Sequence, residues 1–174
     1  MTIRKILTEP DPFLRQKSEK VDTVNDDIRT LMNDMLETMY DAPGIGLAAI
    51  QIGVPKRVIV IDLSKNDEKK TPLYFVNPEI IIKSNKDASY EEGCLSVPNQ
   101  FAEISRPDTC KVKFLNYDGK EKILEATGLL ATCIQHEMDH LEGILFIDYL
   151  SKLKKNMIVK KLSKQKKNLE RIVV

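Results

Sequence analysis

The chain contains two histidines, and they stand four residues apart in Gln135-His136-Glu137-Met138-Asp139-His140. That spacing constrains the fold more than any other feature. An α-helix brings positions i and i+4 onto one face, one turn apart. There two imidazoles can reach a single ion while the neighbouring glutamate reaches a water on it. The segment around 129–142 should therefore be a helix, with Gly128 before it and Gly143 as its stop. A mononuclear catalytic site also needs a third protein ligand and one open position. One metallopeptidase pattern would place a histidine at 146, with Gly143 in register, but Phe146 stands there. Beyond Glu142 the remaining acids are Asp148 and Glu170, the latter in a lysine-rich terminal segment ill suited to a buried ligand. The third ligand has to come from upstream.

Cys94 is the attractive candidate, in Glu91-Glu92-Gly93-Cys94-Leu95-Ser96. A thiolate is a strong ligand for a borderline-soft divalent ion, and Gly93 permits a close backbone approach. Cys110 and Cys133 read as small buried hydrophobes. The three cysteines show no disulfide-framework spacing, which suits a reducing compartment. A second glycine motif, Gly44-Ile45-Gly46-Leu47-Ala48-Ala49-Ile50-Gln51, matches G-x-G-x-x-A, with Asp62 about where a ribose-binding acid would fall. The dinucleotide fingerprint must follow a strand and open a helix. Here the segment follows a helix, and Gly53 and Pro55 leave no room for another before Arg57. It suits pairing with an extended substrate, with Gln51 as a hydrogen-bond donor.

At 174 residues, 42% of them hydrophobic and 30% charged, with a mean hydropathy of -0.28, the chain fits one globular domain and neither a disordered nor a collagenous one. No apolar run approaches the roughly 20 residues that span a bilayer, and Met1 to Phe13 lacks the features of a signal peptide, so a cytoplasmic protein with no membrane partner is expected. Residues 151–174 hold nine Lys or Arg against Glu170, a local +8, so with a net +1 the first 150 carry +1 - 8 = -7. The division is a domain over 1–150 and a basic terminal helix over 151–174 belonging to it.

Val24, Ile28, Leu31, Met32, Met35, Leu36 and Met39 recur at helical spacing, predicting a helix over 25–40 capped by Asn25. Residues 57–62 read as a buried strand and 64–70 as a charged loop. Strand material over 73–82 is interrupted at Asn77-Pro78, because proline cannot donate to a ladder. Residues 110–116 and 120–126 form a hairpin around Tyr117-Asp118-Gly119. The terminal helix over 151–171 should pack through Leu153, Met157 and Leu162. Helix, several strands, helix, helix is an α+β order with mostly antiparallel strands. On the residues alone two other readings stay open: another HExxH-type metallopeptidase with a different third ligand, and a binding module whose ion is closed off by a fourth ligand.

Three segments together, GIGLAAIQ at 44–51, EGCLS at 92–96 and QHEMDH at 135–140, resemble the peptide deformylase family in order and separation, and the resemblance covers essentially the whole chain. It implies removal of the formyl group from the formyl-methionine of newly synthesised polypeptides. It also implies an α+β fold whose antiparallel sheets pack around a central metal-binding HExxH helix, followed by the basic C-terminal helix. By the resemblance Cys94, His136 and His140 bind the metal, Fe(II) natively with zinc, nickel or cobalt able to replace it. Glu137 is the general acid/base, and Gln51 with the backbone N–H of Leu95 holds the formyl oxygen. Ile45, Tyr90, Leu129, Thr132 and Cys133 line the methionine pocket, while Glu92 and the backbone of Ile45 and Gly46 hold the peptide. Arg106 and Asp139 pair and brace the helix. This chain departs from the family at Phe101, where some members have an arginine, and at Tyr90 and Thr132, where aliphatic residues are usual. The lysines of 151–171 leave two readings open, a solvated face on a packed helix or, as in some members of that family, a helix whose far end docks on ribosomal RNA near the nascent-chain exit; no sequence-specific nucleic-acid recognition is expected.

Overall fold

Asn25 accepts the backbone N–H of Ile28 and so caps α1, Asp26–Asp41, whose first turn carries Asp26 and Asp27 at the positive end of the dipole. The computed structural model describes residues 2–64 and 68–172, with side chains as far as Leu169. Residues 65–67 of the charged loop, Met1, the side chains of Glu170, Arg171 and Ile172, and 173–174 of the basic tail lie outside the described residues.

After α1 come β1, Gly46–Ala48, a 3-10 turn over Ala49–Ile52, β2, Val58–Ile61, and β3, Leu73–Lys83. The G-x-G segment thus forms a short strand and a single tight turn. A hairpin of β4, Asp87–Cys94, and β5, Val97–Pro107, makes a separate two-stranded sheet. The strands β6, Thr109–Leu115, and β7, Glu121–Thr127, return to the first sheet, whose order is β1-β2-β3-β6-β7 with every pair antiparallel. Then come α2, Gly128–Leu141, a 3-10 turn over Phe146–Tyr149, and α3, Lys152–Ile172.

The break expected at Asn77-Pro78 is instead a bulge inside a continuous β3, with the register shifting between Val76 and Glu79. Asn77 sits at φ 50, and its side-chain amide accepts from Val21 N at 2.8 Å and donates to Val21 O at 2.7 Å. A side-chain ladder thereby replaces the pairing that proline forfeits.

Alternation along β2 sends Ile59 and Ile61 to one face and Val58 and Val60 to the other. On the first face they join Phe75 and Val112 against Ala131, Ile134 and Leu141 of α2. On the second they meet Met32, Met35 and Met39 of α1. A third cluster ties Val97 and Ile104 of β5 to Phe146, Ile147 and Leu162. The helix α2 touches β1, β2 and β7 of the first sheet and β4 and β5 of the second, and so runs between them. The terminal helix packs differently from expectation: Leu162 is 3% exposed and packs with Ile158 and Val159, whereas Leu153 and Met157 are 72% and 64% exposed. A lysine-dominated sequence hides which stripe is apolar enough to bury.

Candidate active site

Period-two alternation places Tyr90, Glu92 and Cys94 of β4 on the face turned to α2. Two strand residues advance about 6.7 Å and four helical residues about 6 Å, so the two elements stay in register over several side chains. Glu92 Oε2 meets His136 Nδ1 at 2.8 Å, and Cys94 Sγ meets His140 Nε2 at 3.3 Å. The same register sets Tyr90 opposite Thr132. The ligand-capable atoms of Cys94, His136 and His140 lie within 4.8 Å of one another.

Behind this cluster, Arg106 binds Glu92 through Nε at 2.6 Å and through its second nitrogen at 3.0 Å, and reaches Asp139 at 2.7 Å. Tyr149 donates to Asp139 at 2.7 Å, and its ring lies 4.8 Å from the guanidinium carbon. Both Glu92 oxygens are taken by Arg106 and His136, so its carboxylate faces the helix rather than a peptide. Phe146, at the position where a third histidine would have stood, stacks on His136 with ring centroids 6.2 Å apart.

Gln51 is oriented by its neighbours. Its Oε1 accepts Ala48 N–H at 2.8 Å, which turns the NH₂ toward Cys94 Sγ at 3.6 Å and Ser96 Oγ at 3.1 Å. Glu137 Oε2 and His140 Nδ1 are buried without a hydrogen-bond partner among the described residues. Burial pushes the Glu137 carboxyl up to about 7, with the charge of Glu92 adding to the rise and His136 and Arg106 opposing it. Burial raises the Cys133 thiol well above its usual range. For His136, burial works against a charge but hydrogen bonds with Cys94 and Glu92 outweigh it, raising its pKa, while burial and then the charge of His136 push His140 well down. A thiol and two imidazoles this close form, once the thiol and both rings have given up their protons, a donor set suited to one borderline divalent cation.

Ile45, Gly46, Gln51, Tyr90, Glu92, Cys94, Leu95, Leu129, Thr132, Cys133, His136 and Glu137 line a single cavity of 530 Å³. His140 is fully buried beneath it. Arg106 and Asp139 face a second cavity on the other side of α2. Sequence reasoning missed Ser96, which positions Gln51, and Tyr149, which completes the Arg106 network. It also missed how Phe101 sits: its ring packs over Gly93, where an added methyl group would fall 2.6 Å from Cε1. No local pattern marks these three.

Comparison with known proteins decides the family. The polypeptide deformylase family model matches residues 3–156. The chain belongs to the polypeptide deformylase family. It is 66% identical over 174 residues to the peptide deformylase of Pelagibacter ubique strain HTCC1062, covering all of both chains. It is 56% identical over 167 residues to that of Rhizobium meliloti strain 1021, covering 96% of each. Among solved structures, the peptide deformylase of Ehrlichia chaffeensis superposes with a TM-score of 0.91 at 41% identity, covering 96% of this chain and 98% of that one. The Legionella pneumophila peptide deformylase gives 0.89 at 45%, covering 98% and 99%. This deformylase family is metal-dependent, and its members act on the formyl-methionine of nascent polypeptides. None of the described helices is long and apolar enough to cross a membrane.

Proposed function

We propose that Cys94, His136 and His140 hold one divalent cation, Fe(II) in the native protein with zinc, nickel or cobalt as substitutes, and that Glu137 moves the proton in hydrolysis of the formyl group. The reaction itself is that of the family: the chain is a peptide deformylase, a hydrolase that releases formate from N-formylmethionyl peptides. The observation that carries the site assignment is the convergence of three ligand atoms within 4.8 Å beside an unpartnered buried carboxylate. When bound, the ion supplies Lewis acidity and lowers the pKa of water toward about 7.

The chain's own residues do the rest. Glu137, held near 7 by burial, takes a proton from the attacking water and delivers it to the departing amine. The Gln51 NH₂ and the backbone N–H of Leu95 bind the formyl oxygen as it gains charge, and losing one such donor typically costs about 10²–10³ in rate. The backbone of Ile45 and Gly46 holds the peptide against β1, and Ile45, Tyr90, Leu129, Thr132 and Cys133 receive the methionine side chain. Glu92 acts one layer back: its carboxylate fixes the His136 ring through Nδ1 and leaves Nε2 for the ion, while Arg106 and Asp139 fix Glu92 and the helix.

Residues 1–150 supply this site, and residues 151–174 belong to the same domain through Leu162. A cytoplasmic location suits a substrate that is a growing chain. The exposed lysines of α3 dock on ribosomal RNA by phosphate neutralisation, which is strong at low salt and lost at high salt. Because Leu162 is buried, the fair test of docking is replacement of exposed Lys160, Lys164 and Lys167 by glutamine, with ribosome co-sedimentation read across a salt series. For the catalytic reading, anaerobically metal-loaded protein is given a formylated and an unformylated methionyl peptide. Formate from the first with the peptide bonds intact supports it, and cleavage of a peptide bond in either would favour another HExxH-type metallopeptidase.

A further inference from the structure

The pocket expected to receive the methionine side chain is apolar at its mouth, where Ile45 and Leu129 stand, but not along its inner wall. Thr132 on α2 is 4% exposed and lines the cavity. Buried hydroxyls on helices commonly turn back to the carbonyl four residues earlier. Thr38 does so to Asp34 O at 2.7 Å, and Ser163 to Val159 O at 2.8 Å. Thr132 does not. The strand-to-helix register places Tyr90 opposite it, and the Tyr90 hydroxyl lies 3.5 Å from the point where a Cβ on Gly128 would stand, one helical turn from Thr132 on the same face. Among the described residues neither hydroxyl has a hydrogen-bond partner. The neighbouring thiol of Cys133 is directed to Ile45 O at 3.9 Å.

Two uncommitted donors on residues that line the cavity expected to receive methionine suit an acceptor near the end of that side chain. A thioether sulfur is a weak acceptor, whereas the sulfinyl oxygen that methionine gains on oxidation is a strong one. In a wholly apolar pocket that oxygen would be desolvated without a partner, at a cost of roughly 5- to 150-fold in binding. We propose that Tyr90 and Thr132 make this a hydroxyl-lined pocket that accepts formyl-methionine sulfoxide as well as formyl-methionine, so that chains whose first residue has been oxidised are still deformylated. The inference rests on the deformylase reading above. The bond broken is unchanged: water cleaves the formamide C–N bond to give formate and the free amine, and the sulfinyl group passes through intact.

The test compares kcat/KM for formate release from a formyl-methionyl tripeptide and from the same peptide oxidised to the sulfoxide, using the metal-loaded full chain. The sulfoxide should lose less than about thirtyfold against the thioether, and Tyr90→Phe and Thr132→Val should each lower the sulfoxide-to-thioether ratio by about fivefold or more. Taking a ratio cancels differences in the active fraction of each preparation. A larger loss in the parent protein, or a ratio that neither variant changes, would overturn the assignment of the two hydroxyls. Failure of the thioether peptide itself would instead count against the deformylase site, so the two failures are distinguishable.

Discussion

Glu92 accepts the Nδ1–H of His136 at 2.8 Å while the same carboxylate is held by Arg106 at 2.6 Å. Burial alone would raise the Glu92 pKa, but His136 and Arg106 outweigh it and hold the carboxyl below its ordinary value, so it is charged at neutral pH. A charged acceptor at Nδ1 sets the tautomer of the ring and makes Nε2 a better ligand.

Replacing Glu92 by Gln should therefore cost metal affinity without touching a ligand. Partners of this kind typically contribute about 10- to 100-fold. Metal content after dialysis against a graded chelator series reads this directly, and retention equal to the parent would show that His136 needs no brace.

Gly46 is tied by space to Glu137, the proposed proton carrier. A methyl group on its Cα would overlap Glu137 Oε1, and would lie 2.9 Å from Cδ and 3.0 Å from Cys133 Sγ. Gly46→Ala should displace the carboxylate and lower kcat by about 10²-fold, the usual penalty for a misplacement of about 1 Å. Thermal unfolding should move little, because the strain falls on one side chain at the cavity wall.

Much of this arrangement is legible in the residues. His136 and His140 demand a helix, Asn25 and the apolar spacing after it define α1, and Tyr117-Asp118-Gly119 marks the β6–β7 hairpin. The β4–β5 sheet is not legible in this way. Charged and polar residues such as Asp87, Ser89 and Glu91 alternate along β4, so it carries no apolar signature, yet its pairing with β5 delivers Cys94 to α2. The same holds for Glu92: its partners, Arg106 and His136, are 14 and 44 residues away, and only the fold brings them together. In α3 the spacing identifies a helix but not the face that packs, which is decided by Phe146 and Ile147 in a preceding turn.

Cys94→Ser should weaken metal retention or change metal preference, since a hydroxyl is a far poorer ligand than a thiolate. Cys110, buried in the α2 core, and Cys133, on the cavity wall, serve as controls for metal content, and their serine variants should keep the ion. Parental metal content and full activity in Cys94→Ser would remove it from the ligand set.

Acid stability should depend on Asp148, which bonds Arg15 at 2.6 Å and Lys155 at 2.6 Å and so joins α3 to the body of the fold. Burial raises its pKa, but Lys155, the Leu145 N–H and Arg15 outweigh that and hold it below the ordinary value. A lowered carboxyl pKa means the contribution is complete above the unfolded value near 4 and disappears as pH falls through the folded one. With both partners partly exposed it should be worth about 1 kcal/mol, or about 2–4 °C in Tm. Asp148→Asn should lower Tm by that amount at pH 6–7 and converge with the parent near pH 2. A constant difference across that range would rule out the charge as the cause.

The most direct test of the account is Glu137→Gln in anaerobically prepared, metal-loaded protein, with bound metal and formate release measured on the same sample. The variant should hold one divalent ion per chain, as in the parent, and lose about 10²–10⁴ in deformylation, because the proton acceptor is gone while Cys94, His136 and His140 are untouched. Near-parental turnover with the metal in place would contradict it.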